Sequence, residues 1–303
     1  MAVFTVRVTV RDRAGATASR DVQVEERAPQ PGMLLGMTSS PGAPHNAMMA
    51  RWPNIAYTAD FGNDGPDADN LPELPNPSAG KLANPGPVPA TLGISWKDDV
   101  AQLDAWLDAY GQAGGRPFYL HWRHEPHGDI SPADYRPNAA AAVDIITREA
   151  YRDLVLGFGP VVTRWWMIND GGDLADWWVD GMTHYAADVY NDAMDRYRPP
   201  TEWGPKIRDF AVARGATWGV REWGKKRING DTAGAGRCAA IRADVQWCAA
   251  NGCRYMGWWN FGDTQPSSKI FGTGTADATY DAERNLFDEL LAAYDPRGHN
   301  RGG

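Results

Sequence analysis

The sequence predicts an α/β protein: a (β/α)8 TIM barrel over residues 33–296, preceded by a short N-terminal β-hairpin of β-sandwich character. Three observations predict it. Eight short apolar runs alternate with helix-patterned segments between Met33 and Tyr294. Several of these runs end on polar or acidic residues followed by turn formers. No GxGxxG or P-loop turn follows any run, which removes the usual nucleotide-binding open sheet.

At the N-terminus, Phe4, Val6, Val8 and Val10 alternate with Thr5, Arg7 and Thr9, the pattern of a strand with one buried face rather than of a leader peptide. Residues 11–15 read as a turn and 17–24 as a second strand. The hairpin spans residues 1–27, and Ala28-Pro29-Gln30-Pro31-Gly32 is a linker. A lone hairpin is marginal in water, so it belongs to a larger sheet or docks on one.

The barrel strands are expected at 33–37, 54–58 (closing on Asp60), 90–95, 118–125, 161–169, 185–190, 217–222 and 255–261. Residues 96–111 read as a helix, with Val100, Leu103, Trp106, Leu107 and Tyr110 on one face. Further helices are expected at 135–146, 205–214, 236–250 and 282–294, and residues 297–303 form a tail. The Pro/Asn/Gly-rich stretch 63–89 is long for a loop in a compact domain, which marks it as functional or mobile.

Composition narrows the function. A net charge of −8 argues against a nucleic-acid groove, which needs a basic face. Lys225, Lys226 and Arg227 are the compact basic cluster, best explained as a solvated loop. No run approaches the roughly 20 apolar residues of a membrane span. The 14 tryptophans are the outlier: most are expected in the core, yet Trp122, Trp165, Trp166, Trp223, Trp258 and Trp259 stand beside strand ends, where indole faces would stack on sugars. Cys238, Cys248 and Cys253 admit a Cys248–Cys253 or Cys238–Cys248 disulfide in an exported protein and equally admit buried free thiols. They match no metal-ligand spacing.

Two glutamates carry the chemistry. Glu125 ends the run Phe118-Tyr119-Leu120-His121-Trp122-Arg123-His124, and Glu222 ends Thr217-Trp218-Gly219-Val220-Arg221. Charge is expensive where a buried strand packs, so each acid needs a reason. At the C-terminal face of a barrel that reason is catalysis, and paired carboxylates there are the equipment of a retaining glycosidase. Taken singly, either acid is equally a surface group or half of an ion pair, Glu222 with Arg221 for instance.

The motifs resemble glycoside hydrolase family 26. Leu120-His121-Trp122-Arg123-His124-Glu125-Pro126-His127-Gly128 is similar to the family's fourth-strand motif, Asp188-Val189-Tyr190-Asn191 to its sixth, Glu222-Trp223-Gly224 to its seventh and Trp258-Trp259-Asn260 to its eighth. The resemblance implies a clan A barrel resembling β-mannanases, with Glu125 as acid/base, Glu222 as nucleophile and Tyr190 holding the nucleophile through its hydroxyl. His121 stands where the family carries an arginine, and Pro126-His127 replaces its usual Met-Asn, so the departures touch sugar-binding positions. The hairpin resembles the last hairpin of a PKD immunoglobulin-like domain, which implies further modules of a larger protein.

The expected site is therefore Glu125 and Glu222, with Tyr190 and Arg123 supporting the nucleophile and His121, His124, Trp122, Asp60, Asn169, Trp223 and Trp259 binding sugar. Strand alternation puts His121 and Arg123 on the side of Glu125 and His124 on the other, which disfavours a metal cluster; no metal or cofactor is expected. Trp258 and Trp259 compete for the floor of the site. The expected activity is hydrolysis of an extracellular polysaccharide, with a secreted, cell-surface or virion setting inferred from the resemblance. The rival reading is a non-catalytic carbohydrate-binding barrel in a phage tail or cell-surface assembly, for which a retained pair of acids has no use.

Overall fold

A computed structural model describes residues 3–11 and 17–25 of an N-terminal unit, and 32–38, 48–61, 91–96, 99–112, 114–191, 195–260 and 280–294 of a C-terminal one. The chain divides into two compact units, Met1–Pro31 and Gly32–Gly303. In the first, β1 (Val3–Arg11) and β2 (Thr17–Glu25) pair antiparallel from Val3↔Glu25 to Arg11↔Thr17. The expected loop 63–89, the linker residues 28–31 and the tail 297–303 lie outside the described residues, as does the side chain of Asp60.

The second unit is a closed eight-strand barrel. Its strands are β3 (Leu34–Thr38), β4 (Tyr57–Phe61), β5 (Thr91–Trp96), β6 (Phe118–His124), β7 (Val155–Thr163), β8 (His184–Asn191), β9 (Thr217–Lys225) and β10 (Cys253–Trp259). Each pairs parallel with its neighbours, and β10 closes the ring onto β3 from Tyr255↔Leu34 to Trp259↔Thr38. The strands are buried on both faces, as a parallel barrel requires.

Helices α1 (Val100–Gln112), α2 (Pro132–Ile146), α3 (Gly204–Val212), α4 (Ala235–Ala250) and α5 (Asp281–Ala293) supply the outer layer. α2 starts earlier than its apolar pattern because Ser131 caps it, the hydroxyl accepting from the Asp134 amide at 3.2 Å, with Pro132 in the first turn. None of the described helices is long and apolar enough to cross a membrane. The three cysteines are free thiols, two of them buried.

β7 begins at Val155 rather than at 161. Gly157, Gly159 and Pro160 weaken the strand signal, since glycine and proline are poor strand formers. The barrel needs them nonetheless: a Cβ on Gly159 would lie 1.7 Å from the His184 carbonyl oxygen. The strand ends at Thr163, and Trp165–Asn169 wind into a π-helical turn, so the expected strand end at Asn169 is corrected to a position in the following loop.

Two hydrophobic layers result. The larger lies between strands and helices; the smaller, Tyr57, Ala59, Tyr119 and Tyr255, fills the barrel interior. Tyr57 and Tyr255 stack with centroids 4.2 Å apart and planes 8° from parallel. Gly93 and Gly219 make room for them, since a Cβ there would meet the Tyr57 hydroxyl at 2.0 Å or the Tyr255 ring at 2.6 Å.

Candidate active site

Glu125 directly follows the last residue of β6 and Glu222 stands on β9, each beside a break in the pairing. Along β6, His121 pairs with Gly159 but His124 with Val161, so three steps on β6 oppose two on β7. Arg123 takes up the extra residue at φ 58°, and Glu125 follows at φ 54°, its amide donating to the Val161 carbonyl at 2.9 Å. Left-handed backbone at non-glycine residues costs about 1–3 kcal/mol each and persists where the surroundings over-determine it. Along β9, Ala187↔Val220 is followed by Asp188↔Glu222, which leaves Arg221 as the extra residue. A second irregularity at the same place separates Met256↔Val220 from Trp258↔Trp223. Both are β-bulges, devices that re-aim side chains.

The bulges correct the expectation from alternation. His124 joins the reaction face: its Nε2 contacts Asp188 Oδ2 and lies 3.4 Å from Glu222 Oε1. Donor atoms of His124, Glu125 and Asp188 all lie within 4.8 Å of one another, and the Glu125 carboxyl hydrogen-bonds Asp188. These residue types could ligate a metal; here they engage one another. Arg221 and Glu222, adjacent in sequence, meet at 2.6 Å between Nη1 and Oε1. Tyr190, two residues after Asp188 and on the same face of β8, donates its hydroxyl to Glu222 Oε2 at 2.6 Å. Glu222 is not the last residue of its strand, which continues in register with β8 to Asn191↔Lys225.

His124, Asp188, Arg221 and Glu222 are buried and Glu125 and Tyr190 half-buried, and burial governs protonation here. Glu222 is pushed up to about 7 by desolvation and by the charge of Asp188, against the pull of His124, Arg221 and Tyr190. Asp188 is likewise raised to about 7 by desolvation, with Arg221 opposing. Burial and the neighbouring carboxylates hold the Tyr190 phenol far above its ordinary range, so it remains a donor.

The other expected residues are placed as follows. His121 is wholly buried one layer below, its Nε2 3.0 Å from the Tyr255 hydroxyl, and burial holds it neutral. It is therefore a core residue. Arg123 is half-buried, and its charge acts on Tyr135 of the helix layer; the guanidinium on Glu222 belongs to Arg221. Trp122 packs against Phe158 in the strand–helix layer. Trp223 lies in the same layer, its indole N–H donating to Asp244 Oδ2 at 2.8 Å and its ring edge-on to Trp258. Neither tryptophan reaches the mouth. Trp258 is fully buried and Trp259 half-buried, which leaves Trp259 as the candidate floor. Asn169 is exposed and accepts from Arg164 at 3.4 Å, while Arg164 Nε donates to the Tyr190 carbonyl at 3.2 Å.

Sequence reasoning missed Asp188 and Arg221 as site residues. For Asp188 the signal was its i, i+2 spacing from Tyr190. For Arg221 it was the ion pair that its place beside Glu222 allows, although neighbouring strand residues normally point apart.

No protein-family model matches the chain, and no curated protein matches it. Solved structures do share its fold. A modular endo-β-1,4-mannanase of glycoside hydrolase family 26 from Cellulomonas fimi superposes with a TM-score of 0.55 at 16% identity over 84% of this chain and 70% of that one. A double mutant of a Cellulomonas fimi endo-β-1,4-mannanase gives 0.55 at 15% over 86% and 71%. A family 128 endo-β-1,3-glucanase from Sorangium cellulosum gives 0.51 at 13% over 81% and 96%. This chain thus shares its closed parallel-barrel fold with these enzymes.

Proposed function

We propose that the protein is a retaining endo-β-glycosidase acting on a polysaccharide, with Glu222 as nucleophile and Glu125 as acid/base. The carrying observation is the cradle of Glu222: Tyr190 donates to one carboxylate oxygen and Arg221 to the other, at the C-terminal side of a barrel strand. A nucleophilic carboxylate needs such donors to stay ionised inside a protein.

In the first step a Glu222 oxygen bonds to the anomeric carbon as the glycosidic bond breaks, and Glu125 gives its proton to the leaving oxygen. The hydrogen bond between Glu125 and Asp188 joins two carboxyl groups and so keeps a proton in that pair for the purpose. Forming the ester removes the negative charge of Glu222, which frees Glu125 to act as base. Water then attacks the same carbon, gives its proton to Glu125 and releases Glu222. No step calls for a cofactor. Resemblance to the mannanase motifs favours a β-mannan, and a polysaccharide substrate favours work outside the cell or on a virion surface.

The test is reducing-sugar release from β-mannans, β-glucans, xylans and galactans by the parent and by Glu222→Ala. The reading expects release by the parent, loss in the variant, and rescue of the variant by azide with a glycosyl azide of inverted configuration. No release from any glycan by folded protein would overturn it in favour of a carbohydrate-binding barrel.

A further inference from the structure

We infer that Arg221 is a positioning residue for Glu222, a buried guanidinium that aims the carboxylate and keeps it ionised, and that the inner layer of the barrel directs it upward to that task. The inference rests on Glu222 being the nucleophile.

Neighbours on a regular strand face opposite ways, so contact between Arg221 and Glu222 exists because the β9 bulge makes it. The guanidinium side chain is 0% exposed and the Glu222 side chain 6%. A charge so placed is costly unless paired, and Glu222 pairs it above the inner layer of the barrel. That layer is a line of neutral hydrogen bonds. Thr217 Oγ1 lies 2.8 Å from His184 Nδ1, His184 Nε2 lies 2.8 Å from the Tyr255 hydroxyl, and that hydroxyl lies 3.0 Å from His121 Nε2. Burial lowers both histidines, and the charge of Arg221 lowers His121 further, so neither carries a proton that would compete. Among the described residues, Glu222 and Asp188 are carboxylates that act on Arg221, both on the reaction side, while Tyr57 and Tyr255 act on it as neutral phenols from within the barrel.

Among the described residues, the groups facing Glu222 are Tyr190 and Asp188 from β8, His124 from β6 with Glu125 beyond it, and Arg221 from β9. Tyr190 and Arg221 take one oxygen each, so the carboxylate plane is set by both, and among the described residues in contact with Glu222 Arg221 brings the fixed positive charge.

The experiment is the pH profile of kcat/KM for parent, Arg221→Gln and Arg221→Lys on a 2,4-dinitrophenyl glycoside of the sugar that the polysaccharide panel identifies. That leaving group departs without protonation, so the acidic limb reports ionisation of the nucleophile. The limb is expected at least one pH unit higher in Arg221→Gln, which is a tenfold loss per pH unit on the acidic side. Arg221→Lys keeps a point charge without the fork and should fall between the two. Covalent labelling of Glu222 by the matching 2-fluoro glycoside, followed by intact mass, should show the same pH dependence. A folded variant with a lower rate but an unmoved limb would reduce Arg221 to a structural role and overturn the inference. Should Arg221→Gln not fold, Arg221→Lys decides by the same criterion. A Glu222→Ala protein as active as the parent would instead sink the nucleophile assignment itself.

Discussion

Replacing Tyr190 by Phe removes one atom from the candidate site, the hydroxyl that donates to Glu222 Oε2 at 2.6 Å. Its effect can be sized. A hydrogen bond to a charged group is worth about 1.5–3 kcal/mol, and about 1.4 kcal/mol is tenfold in rate or one pH unit in an ionisation. Glu222 retains Arg221 at 2.6 Å and His124 at 3.4 Å, so the carboxylate stays in place with its charge less well held. With the parent carboxyl near 7, the acidic limb of kcat/KM should move up by roughly one to two pH units. At pH 6 the loss should be roughly 10- to 100-fold, narrowing as the pH rises. The assay is kcat/KM against pH on an activated aryl glycoside, with thermal melting to show that the fold survives. If the variant keeps parental kcat/KM within about twofold at every pH, the hydroxyl does not support a reacting carboxylate and the proposed role of Glu222 fails with it.

Three further outcomes follow from the packing. Asp188 is raised to about 7 in the folded protein, so protonation favours the fold: the stability it contributes is present in full below the unfolded carboxyl range near 4 and is lost as the pH rises through about 7. Asp188→Asn should therefore melt higher than the parent at pH 8, with the difference shrinking toward pH 5; a calorimetric series over that range checks the sign. Trp223→Phe removes the donor 2.8 Å from Asp244 in the strand–helix layer, so urea unfolding should register a loss of about 1–3 kcal/mol while kcat/KM of the folded protein stays within about twofold. Gly93→Ala places a methyl 2.0 Å from the Tyr57 hydroxyl in the barrel interior, and overpacking of about 1–3 kcal/mol or more should appear as a lowered melting temperature.

The barrel was readable from the sequence because strands buried on both faces are short apolar runs and the helices between them carry a one-sided apolar stripe. Glu125 and Glu222 stood out because each follows such a run, and Tyr190 because its motif resembled a known one. What could not be read was direction. Trp122 and Trp223 sit beside the two acids in sequence yet face the helices, because one residue along a strand is the whole difference between inside and outside. The bulges decide that parity at His124 and Arg221, and they arise from pairing with neighbouring strands, of which the local sequence bears no mark. The early start of β7 was hidden for the opposite reason: Gly157, Gly159 and Pro160 speak locally against a strand that the close approach of β8 requires.

The two extra residues also make the site sensitive to a kind of change that leaves every acid intact. Each bulge is a one-residue insertion relative to the neighbouring strand, at Arg123 in β6 and at Arg221 in β9. A single-codon deletion at either point would let the strand re-pair without a break and would turn the residues beyond it by one face. His124 would leave Asp188 and Glu222, or Glu222 would leave Tyr190, while the rest of the barrel kept its order. A lineage could thus lose the arrangement around the acids and keep the barrel without substituting either glutamate. In such a chain an alignment would still show both acids, and the missing codon would be the informative difference.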